Sequence, residues 1–189
     1  MAYCTVADIV GHLGVEDTAD DALIQGYVDA AQAWIDRYCH RTFEALEDET
    51  RYVDARGDHV RGRVLYIDRI GELCEIDEIL NGDGIEVTEY VTTPRNSTPY
   101  YAIRIKAMSG LSWTWVDDWE EAIEITGRWA YSVSPPEAIK QACIQLAAFY
   151  YRQKDQPFSD VTAVEAGIVI RPIGIPAAIK ALITPYVKP

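Results

Sequence analysis

Apolar residues recur at three- and four-residue steps near both ends of the chain and alternate with polar ones through the middle. The first helical stretch is Ala19–Cys39, where Leu23, Tyr27, Ala30/Ala31, Trp34 and Tyr38 share one face. Ile24, Val28, Ile35 and Cys39 widen that stripe, so this helix is expected to be buried on more than one side. Acids in the preceding turn, Glu16–Asp21, suit the positive end of its dipole. The second long helix is Pro135–Lys154, with Ile139, Cys143, Leu146 and Tyr150 as its buried stripe. Its start is signalled by Ser134-Pro135-Pro136-Glu137, a Ser cap with Pro in the first turn and Glu three residues on. Shorter helices flank these two. One starts at Thr5, with Asp8 at its third position, and ends at Gly14; the other opens at Pro176, carries Ile179, Leu182 and Ile183 on one face, and stops at Pro185.

From Phe43 the period falls to two. Arg51–Val53, Val64–Asp68, Leu73–Ile79, Ile85–Val91 and Tyr101–Lys106 read as strands. Asn81-Gly82-Asp83-Gly84 marks a hairpin turn, because its residues tolerate positive φ. Ala122–Thr126 and Arg128–Val133 add a strand broken at Gly127, and Ile168-Val169-Ile170 forms a short strand near the tail. Together the elements predict an α+β fold: a small helical core of two long helices plus short N- and C-terminal helices, with a β-rich insert between the long helices. Residues 1–43 and 134–189 form the helical core and tail, 44–133 the insert, within one domain.

Charge adds a partner signal. The net charge of −13 argues against a protein that tracks phosphates and against docking on anionic lipid. Residues 1–36 hold seven acids (Asp8, Glu16, Asp17, Asp20, Asp21, Asp29, Asp36) and no Lys or Arg, whereas 161–189 hold Glu165 against Arg171, Lys180 and Lys188. Either this asymmetry only confers solubility, or the two ends face different neighbours. The four cysteines stand far apart, with no Cys-x-x-Cys pair, so no zinc site or disulfide framework is spelled out. The first residues lack a charged-then-apolar leader, and no stretch approaches the ~20 apolar residues of a membrane span. A soluble product made in a reducing cytoplasm is expected.

Candidate chemistry is sparse. Asp117, Asp118, Glu120 and Glu121 crowd one stretch, but a catalytic carboxylate pair needs a fixed separation inside a cleft, usually across segments. A solvated loop explains them more simply. Cys39-His40 has no second His or Cys at ligand spacing. No nucleophile elbow, zinc helix, phosphate loop or dinucleotide fingerprint is present, so no catalysis, cofactor or metal is expected. The aromatics are more informative. Trp113, Trp115 and Trp119 either cap one end of the sheet or anchor another subunit, as interface tryptophans do. The terminal segment Ile175–Pro189 either docks on its own domain or reaches into a partner.

Three stretches carry a resemblance. They are Thr5-Val6-Ala7-Asp8 with the helix ending Trp34-Ile35-Asp36-Arg37-Tyr38-Cys39-His40-Arg41-Thr42-Phe43; Ile125–Tyr131 followed by Pro135–Cys143 and on to Tyr151-Arg152; and the ending Ile175–Tyr186. In order and spacing they resemble the phage head–tail connector (adaptor, head-completion) family. The resemblance implies a structural virion protein at the neck, made in the bacterial host. It implies a homo-oligomeric ring, dodecameric when assembled on the portal protein, with free subunits that stay monomeric until the portal templates them. A head-closure or tail-completion protein would dock on the ring, and DNA would pass through without sequence-specific binding along an acidic lumen that repels phosphate. By the same implication Ile175, Pro176, Ile179, Lys180, Leu182, Ile183, Tyr186 and Lys188 contact the portal, while Trp113, Trp115, Trp119, Tyr27, Trp34 and Tyr150 contact neighbouring subunits. The alternatives are another neck or tail-completion protein and, from a different class, an enzyme using the Asp117–Glu121 acids.

Overall fold

Thr5 and Asp8 close a reciprocal capping box at the start of α1 (Val6–Leu13): Asp8 N donates to Thr5 Oγ1 at 3.2 Å and Thr5 N to Asp8 Oδ2 at 2.8 Å. Gly14, at φ 66°, ends the helix. This is a computed structural model describing residues 3–14, 19–154 and 174–188. The chain divides into two units, one formed by Met1–Arg41 with Pro136–Pro189 and the other by Thr42–Pro135.

In the helical unit, α2 (Asp21–Cys39), α3 (Glu137–Gln153) and α4 (Ala177–Ile183) follow α1, and α3 packs against all three. Its buried residues Ile139, Ala142, Cys143, Ile144, Leu146, Ala147 and Ala148 extend well beyond the stripe expected, and Tyr150 is only half-buried. Small side chains at crossings let helix axes approach closely. The buried stripe of α2 is Ile24, Val28, Ala31, Ile35 and Cys39. The residues expected only to widen the stripe, Ile24, Val28, Ile35 and Cys39, are thus its centre together with Ala31. Leu23 is 43% exposed, and Tyr27, Trp34 and Tyr38 lie half-buried at the stripe's edge. Compact aliphatic side chains fill the helix contact, while aromatics with polar tips stay where those tips reach water. The helix is therefore buried along one stripe within its own unit, not on several sides.

Two helix starts differ from expectation. Pro136, not Ser134, precedes α3 and makes no side-chain cap, and the Ser134 carbonyl accepts from Ser132 Oγ at 2.6 Å. Asp20 precedes α2 and gathers the end of α3, accepting from Tyr151 OH at 2.7 Å and from Lys154 Nζ. Those contacts, Lys154 first, lower the Asp20 carboxyl below its ordinary range. Upstream of α1, Tyr3 and Cys4 are buried: Tyr3 OH donates to Asp36 Oδ1 at 2.5 Å, and the Cys4 and Cys143 sulfurs lie 3.3 Å apart.

The β unit holds seven strands: β1 (Glu49–Val53), β2 (Val60–Arg61), β3 (Val64–Tyr66), β4 (Glu75–Leu80), β5 (Tyr90–Thr93), β6 (Ala102–Ile105) and β7 (Ile123–Arg128). They form two antiparallel sheets, ordered β1-β7-β4 and β2-β3-β6-β5. One core joins their inner faces, with Val53, Ile79, Ile123 and Ile125 from the first and Leu65, Ile103 and Ile105 from the second. The Asn81–Gly84 turn forms, with Gly84 N donating to Asn81 O at 2.7 Å, but the return strand expected at Ile85–Val91 does not. Only a bridge between Leu80 and Glu86 and a bond from Val87 N to Ile79 O at 2.8 Å follow the turn. The reason is topological: β4 belongs to one sheet and β5 to the other, so residues 85–89 cross between them.

Gly127 does not break its strand either. It lies inside β7, the central strand of its sheet, and pairs with Glu49 on one side and Ile76 on the other. A Cβ there would stand 2.2 Å from the Glu75 carbonyl oxygen, so glycine is required by close approach. After Arg128 the pairing ends, and the strand expected over Arg128–Val133 is absent. Ile168–Ile170 lies outside the described residues.

Gly127→Ala should lower unfolding stability by about 1–3 kcal/mol through backbone displacement against β4, measured by denaturant titration. Burial raises the Asp36 carboxyl, with the Tyr3 hydroxyl partly opposing it, so the folded state holds its proton more tightly than the unfolded chain. The stability cost is complete above the folded pKa and disappears as pH falls through it toward the ordinary carboxylate value. Asp36→Asn should therefore raise the melting temperature at neutral pH and flatten its dependence on pH in the acidic range; an unchanged profile would refute the assignment.

Candidate interaction surfaces

The terminal segment folds back on its own unit. Ile179 and Ile183 are 3% and 0% exposed, and fully burying such a side chain stabilises by roughly 1.5–3 kcal/mol. Beyond α4, a 3-10 turn at Thr184–Tyr186 leads to Lys188, whose N–H donates to the Cys39 carbonyl at 2.9 Å. Burial pushes the Cys39 thiol up to about 11. Of the residues expected to meet a portal, Ile179 and Ile183 are therefore core. Lys180 and Lys188 are exposed, and Ile175, Pro176, Leu182 and Tyr186 are half-buried. A shallow groove of about 320 Å³ runs along this side, lined by His12, Gln145, Phe149, Arg152, Pro176 and Ala178 among others.

Another surface is the aromatic edge of α2. Trp34 stacks on Tyr38 with ring centroids 5.0 Å apart and planes at 19°. Tyr27 meets Tyr150 of α3 at 6.4 Å and Tyr151 edge-on at 6.5 Å. Tyr27, Trp34 and Tyr150 thus lie on or beside one helix pair, each half-exposed, with Leu23 nearby in sequence.

The three tryptophans of the 113–119 stretch do not act together. Trp113 is 6% exposed and donates Nε1–H to the Arg63 carbonyl at 3.0 Å, which makes it a core residue rather than a subunit anchor. Trp119 is half-buried against the same core, and its carbonyl accepts from Ala55 N at 2.8 Å. Only Trp115, 36% exposed, presents a ring to the outside. Asn81 holds the segment in place: its Nδ2 donates to Ser112 O at 2.9 Å and its Oδ1 accepts from Thr114 N at 3.1 Å. Asn81 is 3% exposed and was missed in the sequence, where it reads only as a turn former. Gly82 supports the same approach, since a Cβ there would sit 2.6 Å from Thr114 O.

Asp117, Asp118, Glu120 and Glu121 are all exposed. Asp118 Oδ1 accepts from Glu120 N at 3.1 Å and Asp54 Oδ1 accepts from Glu121 N at 2.9 Å, so the carboxylates of Asp118 and Asp54 set the loop geometry. Among the described residues, no group of three or more His, Cys, Asp or Glu could hold a metal ion. Cys39 is buried, and His40, at φ 55°, forms the C-cap of α2. Its backbone conformation explains the residue without any ligand.

Residues 3–60 match the family of phage gp6-like head-tail connector proteins. A search of curated proteins finds no match. Among solved structures, a chain in the neck of an empty GTA particle, computed with C6 symmetry, is 19% identical at a TM-score of 0.57 over 96% of this chain and 87% of that one. A chain in the virion of a native gene transfer agent particle is 19% identical at a TM-score of 0.52, over 96% and 87%. A chain in the native GTA neck, computed with C12 symmetry, is 17% identical at 0.55, over 96% and 86%. The resemblance read from Thr5–Asp8 and the Trp34–Phe43 helix end thus falls on the matched segment, and the chain resembles the gp6-like head-tail connectors while sharing its fold with chains of gene transfer agent particles.

Proposed function

We propose that this chain is a structural protein of a virion neck, assembled as a ring at the head–tail junction. The observation that carries the proposal is the coincidence of the connector match over residues 3–60 with a fold shared along 96% of the chain with a neck structure. The ring would sit beneath the portal, extend the DNA channel, and offer its far side to a closure or tail protein. Tyr27, Trp34 and Tyr150 are suited to subunit contacts, because half-exposed aromatics with polar tips characterise surfaces that are dry on one side and wet on the other. In the tail, Lys180 and Lys188 are exposed and would face a portal, with the half-buried Leu182 and Tyr186 on the same segment.

Burial of Ile179 and Ile183 changes how the docking segment is tested. Deleting 175–189 would strip the cover from α3, so the informative variant is Lys180→Glu with Lys188→Glu. Purified chain mixed with portal rings should add a collar of density in electron micrographs. The double reversal should reduce collar occupancy about tenfold or more at low salt. A collar unaffected by the reversal would move docking off the tail, and no collar on competent portals would reject the neck role.

A further inference from the structure

The two sheets of the β unit carry opposite charge. In β1, β4 and β7 stand Glu49, Glu75, Asp77, Glu78 and Glu124 against Arg51 and Arg128. The runs 60–66 and 90–106, which supply β2, β3, β5 and β6, hold Arg61, Arg63, Arg95, Arg104 and Lys106 and no carboxylate at all. In a chain of net charge −13 this is a local inversion of sign.

The register shows which of these residues share a face. Val64 pairs with Arg104, which pairs with Val91; Tyr66 pairs with Ala102, which pairs with Thr93. Leu65, Ile103 and Ile105 point into the core, so these others form the outer face. The face is a shallow depression of about 410 Å³ with Val64, Val91 and Ala102 among the lining residues, rimmed by Tyr66, Tyr101, Arg95 and Arg104. Arg61 stands 5.7 Å from the Tyr66 ring centroid. Arg61, Arg95 and Arg104 are exposed, Tyr101 is 48% exposed, and none of the three arginines pairs with a carboxylate among the described residues.

We propose that this face docks against the acidic edge of the three-stranded sheet in a second copy of the chain, where Asp77, Glu78 and Glu86 are exposed along β4 and the turn that follows it. The composition favours a protein occupant over nucleic acid. An apolar floor with a Tyr- and Arg-rich, Lys-poor rim is the anatomy of a protein interface, whereas a phosphate-tracking surface needs a longer run of cations. Polarity then selects the geometry. Two-fold pairing of the basic face would set Arg104 against Arg104, while head-to-tail contact sets basic on acidic at every junction and closes into a ring when the rotation permits. The proposal adds a contact between subunits beside the aromatic one suggested above and rests on the ring reading for closure.

The test uses the full-length chain without portal, by sedimentation at high protein concentration across a salt series. One variant carries Arg95→Glu and Arg104→Glu, the other Asp77→Lys and Glu78→Lys. Wild type should self-associate weakly and lose association as salt rises. Each variant alone should associate about tenfold or more weakly, because both of its surfaces then bear one sign. Mixing the two should restore association, since each reversed surface meets its complement. All four positions are exposed strand or loop residues, and circular dichroism on each variant checks the fold. The proposal is overturned if either variant associates like wild type, if the mixture fails to recover, or if wild type stays monomeric throughout. It is also overturned if labelled duplex DNA binds and the arginine reversal abolishes that binding while leaving self-association intact. With no portal present, failure here leaves the collar experiment to decide the neck role, and failure of the collar leaves this contact standing.

Discussion

A helix that accepts neighbours on three sides can carry only small or slender side chains where they cross. In α3 these are Ala142, Cys143, Ala147 and Ala148, with Ile139, Ile144 and Leu146 filling the spaces between crossings. Much of the helical unit follows from that constraint. Between them α1, α2 and α4 supply Ile9, Ile24, Val28, Ile35, Ile179 and Ile183, all buried, and leave their larger aromatics at the edges. The apolar side of α4 is therefore consumed inside the unit, and the chain end stays anchored through the bond from Lys188 N to Cys39 O. Tyr3 and Cys4 are likewise buried, Tyr3 against Asp36 of α2 and Cys4 against Cys143 of α3, so segments flanking α1 and α4 are both tied to the core of the unit.

In the β unit the corresponding constraint is close backbone approach. Gly127 lets β7 lie against the bulged strand β4, and Gly82 admits the backbone of Thr114. Asn81 converts the second approach into two hydrogen bonds, which fixes the segment that carries Trp113 into the core. A buried amide with both its donor and its acceptor matched is worth more than its area suggests, because each partner would otherwise be left unsatisfied. The irregular Trp-rich segment is thus a cap on the sandwich, and a single exposed ring, Trp115, remains outside.

The long helices, both short helices and most strands were legible because each rests on local periodicity or capping. Thr5 and Asp8 predicted their capping box outright. What escaped depends on tertiary context. In α2 the buried residues were all named, but Ile24, Val28 and Ile35 were read as the margin of a stripe centred on Leu23, Tyr27 and Trp34, because periodicity alone weighs Tyr and Trp as heavily as Ile, whereas packing against α3 does not. Gly127 was read as a break because a glycine in a strand signals either interruption or close approach, and only the Glu75 carbonyl across the ladder decides between them. Asn81 looked like a turn residue and is also a clamp. The inverted charge of the runs 60–66 and 90–106 was present in the letters, but its meaning needed the register that places Arg104 between Val64 and Val91.

The two kinds of exposed surface have different physics. On the tail, Ile179 and Ile183 are buried while Lys180 and Lys188 are exposed, so recognition through it, as proposed, would be electrostatic, fast and readily screened by salt. The sheet face couples arginines to tyrosines over an apolar floor, so contact there would exclude water as well as match charge, and salt would weaken its charged part. An assembly that adds subunits one after another onto a template needs both properties in that order. A weak, steered first contact lets a subunit find its place, and a drier contact between neighbours holds it once they are side by side. On this argument the acidic excess of the chain is not merely a solubility device. With a net charge of −13, free copies repel one another at long range, and association is favoured only where opposite patches come into register. The proposed neck role would call for that behaviour in a subunit that assembles on a template.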